Sequence, residues 1–318
     1  MTRSTVTGPA RILVIKLGAL GDVVQALGPM AAIRRHHAGA RITALTTAPF
    51  APLLAASPYV DEVWVDPRPR AWQIGAWMAL RRRLRDARFD RVYDLQTSGR
   101  SSFYLRLFGP GRYPEWSGIA AGGSHPHANP NRDLMHTIER QAEQLRDAGI
   151  AEVPMPDVSW LAADLARYAL PPRFALLVPG GSAMRLQKRW PAAAYGALAA
   201  RLFAHGVTPI VIGIASERPL AATIRAVCPE ARDRTGQTSF AESAALARRA
   251  LFAVGNDTGP MHLIAAAACS CAVLFSADSE PALCAPRGRV TVLRRPDLAQ
   301  LTVDEVAAAL PAADAPVA

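Results

Sequence analysis

Short apolar runs alternate with helical stretches along the chain, and this alternation restricts the fold more than any other feature. Strands are predicted at 11–15, 41–46, 62–65, 91–95, 174–180, 208–213, 250–255 and 271–275. Helices are predicted between them, at 22–36, 67–91, 191–204, 216–227, 239–249 and 260–269. Strands that alternate with helices favour parallel sheets with crossover helices. The sequence therefore predicts an α/β protein.

A proline-rich stretch at 150–172 interrupts the alternation and predicts a connector between two βαβ-type domains. We expect a first domain over 1–165 and a second over 166–318, facing each other across a cleft. Whether the last helix, predicted at 302–310, packs back on the first domain stays open. The segment 109–131 is rich in Gly, Pro, His and Asn and predicts a long loop, followed by a helix over 132–148.

Charge and cysteine content limit the function classes. A net charge of +10, spread over both halves of the chain, favours an anionic partner in general, and we expect no nucleic acid. Four cysteines are too few for a disulfide scaffold and lack the C-x-x-C pairs of a zinc site, so we expect no metal and no cofactor. The apolar run at 12–15 is too short for a signal peptide, and 263–277 is shorter than a membrane span. We expect a cytoplasmic protein, with peripheral contact at the cytoplasmic face of the inner membrane left open.

The loop KLGALGD (16–22) follows the first predicted strand and leads into the first helix. Gly18 and Gly21 permit a tight backbone and the close approach of a ligand, but the G-x-G-x-x-G of a dinucleotide site is absent. Asp22 at the helix start is either an N-terminal cap or a general base that takes a proton from a hydroxyl. The residue pattern alone leaves both roles open.

Two further loops follow strands of the second half. PGGSAMRLQKRWP (179–191) offers backbone N–H groups, the Ser182 hydroxyl and Lys188, one of only two lysines in the chain. NDTGPMH (256–262) begins a helix, whose free N–H groups and dipole attract anions, with His262 in the first turn. A solvated basic loop and a capped helix with a buried histidine are the alternatives. Together the two loops favour a diphosphate held by backbone, lysine and histidine without a metal, which is the chemistry of a nucleotide-sugar transferase.

Six motifs occur in an order that resembles glycosyltransferase family 9, which includes the ADP-heptose:lipopolysaccharide heptosyltransferases. They are GALGD (18–22), YDLQTSGRS (93–101), KRWP (188–191), GIASE (213–217), TGQTSFAESAAL (235–246) and VGNDTGPMHLIAAA (254–267). The resemblance implies a GT-B fold of two Rossmann-like domains, with acceptor on the first and donor on the second. It implies inverting, metal-independent transfer of heptose from ADP-heptose to the inner core of lipopolysaccharide, either Kdo-lipid A or a heptosylated core.

The resemblance also implies roles for individual residues. Asp22 would be the general base, and Glu217 would lie near the donor ribose. The donor diphosphate and sugar would be held by Ser182, Lys188, Asp257, Thr258, Gly259 and His262. By position alone, we assign acceptor contacts to Lys16, Gly21, Gln96 and Arg100.

Alternative functions remain open at this stage. One is a related transferase that uses another nucleotide sugar or acceptor, and another is a GT-B epimerase or hydrolase. The segment 67–91, with eight arginines, two aspartates, Trp72 and Trp77, is either a basic amphipathic surface for an anionic membrane or an ordinary solvated helix.

Overall fold

The computed structural model describes residues 9–181 and 185–311, which form two compact units divided after Pro156. The boundary expected from the sequence, at 165 and 166, lies a short way beyond this division. Among the described residues, no helix combines the length and the apolar character needed to cross a bilayer.

The first unit is built on a parallel sheet in the order β3-β2-β1-β4-β5-β6. Its strands are β1 (Arg11–Ile15), β2 (Arg41–Thr46), β3 (Glu62–Val65), β4 (Arg91–Asp94), β5 (Glu115–Gly118) and β6 (His125–Pro126). Its helices are α1 (Leu20–Gln25), α2 (Leu27–His36), α3 (Ala51–Ala55), α4 (Ile74–Asp86), α5 (Gly99–Leu107) and α6 (Thr137–Asp147). Short 3₁₀ turns span Ala48–Phe50 and Arg132–Leu134.

The central strand of this sheet is almost entirely apolar, and Ile12 to Ile15 are buried. A strand that is covered on both faces reads as such a continuous apolar run, since helices lie above and below a parallel sheet. One core cluster joins β1 to Trp116 of β5, Leu80 of α4 and Tyr104 of α5. This packing fixes the strand ends from which the loops of the first unit emerge.

The second unit repeats the plan in the order β12-β11-β10-β7-β8-β9, also parallel throughout. Its strands are β7 (Phe174–Val178), β8 (Thr208–Val211), β9 (Arg232–Asp233), β10 (Ala253–Asn256), β11 (Cys271–Phe275) and β12 (Val290–Arg294). Its helices are α7 (Ala192–Ala204), α8 (Arg218–Val227), α9 (Phe240–Arg249), α10 (Gly259–Ala266), α11 (Pro281–Cys284) and α12 (Val303–Ala308). The 3₁₀ turns are Ala166–Tyr168, Leu186–Lys188, Ala215–Glu217 and Leu298–Gln300.

The last helix, α12, packs against α7 of the same unit. Val306 and Leu301 are buried in a cluster with Trp190 and Tyr195, whose rings meet edge to face with centroids 4.8 Å apart. The indole of Trp190 also donates a hydrogen bond to the Leu301 carbonyl oxygen at 2.9 Å. The KRWP segment is therefore anchored in the core directly beside Lys188.

The sequence pattern predicted most of these elements. All eight predicted strands are confirmed, although several end one or two residues from the expected position. The predicted helix at 22–36 is two helices, since Pro29 lacks the N–H that would continue the ladder to Gln25. The predicted loop at 109–131 contains β5 and β6, and β9 and β12 were not predicted.

Candidate functional site

In each sheet, the direction in which successive strands are added changes once, and polar loops follow the strands on either side of that point. In the first unit, β2 and β4 flank β1, so the chain leaves β1 and β4 toward opposite sides of the sheet. In the second unit, β8 and β10 flank β7 in the same manner. Ligands of open α/β sheets bind in the crevice at such a switch point, beyond the carboxyl ends of the strands. Asp22 and Gln96 follow β1 and β4, and Lys188 and Asp257 follow β7 and β10, which are the strands at the two switch points.

In the second unit, the side chain of Asn256 joins the loop after β7 to the end of β10. Its amide nitrogen donates to the carbonyl oxygens of Pro179 at 2.9 Å and Gly180 at 3.0 Å. Its amide oxygen accepts the Trp190 N–H at 2.9 Å and the Tyr195 hydroxyl at 3.2 Å. Asn256 is fully buried, so these four bonds replace all its contacts with water. The loop that leads to Lys188 is thereby fixed at both of its ends.

Lys188 and Asp257 form an ion pair across this switch point. The Lys188 ammonium lies 3.0 Å from Asp257 Oδ2, and both side chains are largely buried. The hydroxyl of Ser279 donates to the same Oδ2 at 2.5 Å, and the Asp257 backbone N–H donates to the Leu274 carbonyl oxygen. An ammonium group carries three donors, so Lys188 can face an anion while Asp257 orients it.

Glu217 lies between the loops that follow β7 and β8. Its Oε1 accepts the Gly181 N–H at 3.0 Å, and its Oε2 accepts the Ile214 N–H at 2.9 Å. A Cβ at Gly180 would lie 1.9 Å from Glu217 Oε1, and one at Gly213 would lie 2.3 Å from Oε2. Both glycines are therefore required for the carboxylate to fit. Each carboxylate oxygen has a further lone pair with which a hydroxyl-bearing ligand can bond.

The helix α10 begins immediately after Asp257, with Thr258 as its N-cap in extended conformation and Gly259 as its first residue. Its second residue, Pro260, has no N–H, and the Met261 N–H donates to the Thr258 carbonyl oxygen at 3.0 Å, so the Gly259 N–H is the donor that this helix start offers to an anion, together with the helix dipole. His262 is buried in the first turn. The structure thus brings Lys188, Asp257, Thr258 and Gly259 to one end of the second sheet, whereas Ser182 lies outside the described residues.

In the first unit, Asp22 is the third residue of α1, and its carboxylate folds back to cap the start of the helix at Ala19. Its Oδ2 accepts the Ala19 N–H at 3.0 Å, and its side chain is partly exposed. The preceding Gly18 has φ +132°, and a Cβ there would lie 2.5 Å from Phe50 Cε2. Gly18 is thus the residue that lets the loop turn tightly enough to bring Asp22 to the strand end. The cap and general-base roles are compatible, because one carboxylate oxygen suffices for the cap.

Lys16 is not on the surface, as an acceptor contact would suggest, but is buried behind Asp22. Its ammonium donates to the Leu95 carbonyl oxygen at 3.1 Å, and burial lowers the pKa of Lys16 while the charges of Asp22 and Asp94 raise it. Asp94 ends β4 and is also fully buried. Its Oδ1 accepts the N–H groups of Gln96 and Thr97, whereas Oδ2 has no hydrogen-bond partner among the described residues. Burial raises the pKa of Asp94 to about 6, although these hydrogen bonds and Lys16 oppose the shift.

The other expected acceptor contacts separate into two groups. Gln96 lies at the switch point, where its side-chain oxygen accepts the Leu17 N–H at 2.9 Å, and Gly21 is buried within α1. Arg100 points elsewhere: its guanidinium donates to the Pro69 carbonyl oxygen at 3.2 Å and lies 5.6 Å from the centre of the Trp77 ring. Arg100 therefore supports the loop after β3.

Sequence reasoning missed Arg140 on α6. Its guanidinium lies close enough to Lys16 and Asp22 for their charges to interact. Burial lowers the pKa of Arg140, and the charge of Arg132 lowers it further. The helix is held over the strand ends by Gln144, which donates to the Asp94 carbonyl oxygen at 3.0 Å. No local motif marks Arg140, because its proximity to Asp22 depends on how α6 packs on the sheet.

Among the described residues, no group of three or more His, Cys, Asp or Glu side chains is arranged to hold a metal ion. The polar groups that the described residues place at the second switch point are the Lys188 ammonium, the carboxylates of Asp257 and Glu217, and the N–H at the start of α10. The ammonium and the N–H are groups that can donate hydrogen bonds to an anion.

Two Rossmann-like units with polar loops at the switch points of their sheets are the arrangement in which open α/β proteins bind their ligands. The model of glycosyltransferase family 9 (heptosyltransferase) matches residues 77–289, which is more than half of the chain. The chain belongs to this family and is a glycosyltransferase.

Solved structures of similar fold agree. The ADP-heptose lipopolysaccharide heptosyltransferase II of E. coli is 22% identical, with 94% of this chain and 97% of that chain covered and a TM-score of 0.79. A family 9 glycosyltransferase of Veillonella parvula is 18% identical over 95% of this chain and 96% of that chain, with a TM-score of 0.80. E. coli heptosyltransferase WaaC with ADP is 22% identical over 94% and 98%, with a TM-score of 0.73. No curated protein matches the sequence significantly. These structures confirm the GT-B fold.

The raised pKa of Asp94 predicts that the stability of the protein depends on pH. Its pKa is raised from 3.8 to about 6 in the folded protein, so the folded state binds the proton more tightly than the unfolded state does. The free energy of unfolding should therefore fall as the pH rises from about 4 to about 6, by an amount on the order of 3 kcal/mol from this group. In Asp94→Asn this contribution disappears. The measurement is urea unfolding of both proteins at several pH values, and an unchanged difference between them across this range contradicts the prediction.

The four hydrogen bonds of Asn256 predict that the second unit depends on this side chain for stability. Asn256→Ala leaves the Trp190 N–H and two carbonyl oxygens without their partner, which should lower the free energy of unfolding by about 2–5 kcal/mol. The same substitution at exposed Asn131 is the matched control and should change it by less than about 0.5 kcal/mol. Urea unfolding measures both. Equal losses in the two variants would exclude this role.

Proposed function

We propose that this glycosyltransferase transfers a heptose from ADP-heptose to the inner core of lipopolysaccharide, with inversion at the anomeric carbon and without a metal. The acceptor is Kdo-lipid A or an already heptosylated core. The observation that carries the proposal is the Lys188–Asp257 pair beside the N-terminus of α10, at the switch point of the second unit. The E. coli WaaC structure with ADP-2-deoxy-2-fluoro heptose, a relative of the same fold, supports the choice of donor.

The second unit would hold the donor through its diphosphate. Lys188, His262 and the Gly259 N–H at the start of α10 offer positive charge and hydrogen-bond donors to the phosphate oxygens. Asp257 does not contact the anion in this proposal but orients Lys188, and Ser279 fixes Asp257 in turn. The hydroxyl of Thr258 and the backbone of Gly259 complete the contacts to diphosphate and sugar, with Ser182 as a further donor. Glu217 would accept a ribose hydroxyl.

The first unit would bind and activate the acceptor. Asp22 takes the proton of an acceptor hydroxyl, whose oxygen attacks the anomeric carbon as the bond from that carbon to the diphosphate oxygen breaks. ADP leaves with the electron pair of that bond, and the donor groups of the second unit stabilise its growing charge. The charges of Arg140 and Lys16 near Asp22 favour an anionic acceptor such as a phosphorylated, acidic saccharide. Gln96 and Gly21 shape the same strand end.

The direct test is ADP release from ADP-heptose, measured with and without a core-truncated lipopolysaccharide acceptor and in the presence of EDTA. We expect release that requires the acceptor and is unchanged by EDTA, because an ammonium and backbone N–H groups can neutralise the leaving diphosphate. Release without any acceptor would indicate a hydrolase or epimerase instead. Turnover that EDTA abolishes would contradict the metal-independent mechanism, and no turnover would direct the search to another nucleotide sugar.

Asp22→Asn separates the two roles of this residue. The amide keeps an oxygen that can accept the Ala19 N–H, so the cap survives, but it cannot act as a base. We expect kcat to fall by about 10²–10⁴-fold while ADP-heptose binds with nearly unchanged affinity. Glu305 occupies the equivalent capping position of α12, and Glu305→Gln is the matched control that should keep full turnover. A kcat within a few-fold of wild type for Asp22→Asn would leave the residue with its cap role alone.

A further inference from the structure

An exposed apolar patch lies at the start of α4 and is not part of the core. Trp72 is 71% exposed, Ile74 70% and Met78 54%. Ile74 and Met78 are four residues apart in the helix, so they share one face, and Trp72 lies just before its first turn. Contiguous large apolar side chains at this level of exposure commonly mark a contact surface.

The other face of α4 accounts for the packing of the helix. Leu80 and Leu84 are buried against the sheet, and Trp77 meets the rings of Phe103 and Tyr104 at 5.3 and 6.2 Å between centroids. Of the two tryptophans in this segment, Trp77 is thus packed into the unit and Trp72 is not. The exposed apolar face has no packing role within its own unit that the described contacts show.

Exposed arginines lie next to the apolar patch, on the same face of α4. Arg82 and Arg85 follow Met78 at four and seven residues, and both are exposed. Beside the patch, the guanidinium of Arg70 lies 5.3 Å from the centre of the Trp72 ring. A long arginine side chain can lie along an apolar layer and still keep its charge among polar groups. The surface therefore combines an apolar end with a cationic flank.

The loop that presents Trp72 is firmly attached to the unit. Asp66 accepts the Tyr104 hydroxyl at 2.5 Å and the Arg68 N–H at 2.8 Å, and Arg100 donates to Pro69. A preformed patch loses little conformational entropy when it binds. This attachment distinguishes it from a mobile surface loop.

We propose that this surface docks on an anionic phospholipid bilayer, with Trp72, Ile74 and Met78 entering the boundary between headgroups and acyl chains and Arg70, Arg82 and Arg85 meeting the phosphates. Interfacial helices have this combination of apolar and basic residues. Charge complementarity selects the bilayer over a second copy of this chain, because two copies packed on this face would bring arginines against arginines. Nucleic acid offers no apolar layer for Ile74 and Met78.

Docking at this place has a consequence for catalysis that rests on the proposed function. The loop after β3 and the loop after β1 leave the same edge of the first sheet, because all strands of that sheet are parallel. The patch and Asp22 therefore lie at the same edge. A bilayer held there would present a lipid-anchored acceptor to the end of the sheet where Asp22 lies.

The test is flotation with vesicles of phosphatidylglycerol and phosphatidylcholine in equal parts, compared with vesicles of phosphatidylcholine alone. No donor or acceptor is present, so the result does not depend on the proposed activity. We expect binding to the anionic vesicles that weakens with added salt, and little binding to the neutral ones. Equal binding to both, or none to either, overturns the proposal.

Two sets of variants locate the surface. The triple change Trp72→Ser, Ile74→Ser and Met78→Ser should weaken partition at least tenfold, whereas Phe203→Ser with Val227→Ser, at exposed apolar positions of the second unit, should not. Arg82→Gln and Arg85→Gln should weaken it about fivefold each, against unchanged binding for Arg225→Gln with Arg249→Gln. Melting temperature and ADP affinity serve as controls for folding.

The outcomes distinguish the alternatives. Wild-type partition by the triple variant overturns the proposal, as does an equal loss in the second-unit controls. A dimer in analytical ultracentrifugation that the triple variant abolishes, with no vesicle binding by the wild type, would assign the patch to a second copy instead.

Discussion

The side chain of Asn256 provides the link on which the switch point of the second unit depends. Its four hydrogen bonds connect the end of β10 with the start of the loop after β7 and with Trp190, where that loop returns to the core. Because Trp190 is itself buried against α12, Lys188 is carried on a segment that is fixed two residues further on. The Lys188–Asp257 pair is therefore preorganised, and little reorganisation is needed when an anion arrives.

The first unit differs from the second in that it buries two side chains of opposite charge, Lys16 and Asp94. Lys16 and Asp94 are both buried in the part of the first unit that contains Asp22. Burial lowers the pKa of Lys16 and raises the pKa of Asp94, so both shifts favour the neutral side chain. Such a pair is poor evidence for stability, since similar apolar residues often pack as well. What the pair supplies instead is an electrostatic environment at a strand end, to which Arg140 adds a further positive charge. An anionic acceptor suits that environment.

Sequence reasoning succeeded where the signal was local. Apolar runs such as 11–15 and 271–275 mark buried strands, and NDTGPMH marks a helix start, because neighbouring residues determine both. Sequence reasoning failed where the structure depends on packing or on contacts between residues that are far apart in the sequence. β5 lies within a stretch rich in Gly and Pro, and the exposed edge strand β12 has no continuous apolar run. The role of Asn256 depends on partners more than sixty residues away, and the proximity of Arg140 to Asp22 depends on how α6 packs.

The cap that Asp22 forms and the base role that we propose for it are consistent with one geometry. A helix cap requires a carboxylate oxygen directed back at the chain, and the Ala19 N–H occupies Oδ2 in this way. That bond limits the rotation of the side chain, so the remaining oxygen has a defined direction, which a general base needs for efficient proton transfer. Gly18 makes the geometry accessible, because a side chain there would collide with Phe50. In the proposed mechanism the cap therefore positions the base, so that a residue type common at helix starts would also serve catalysis.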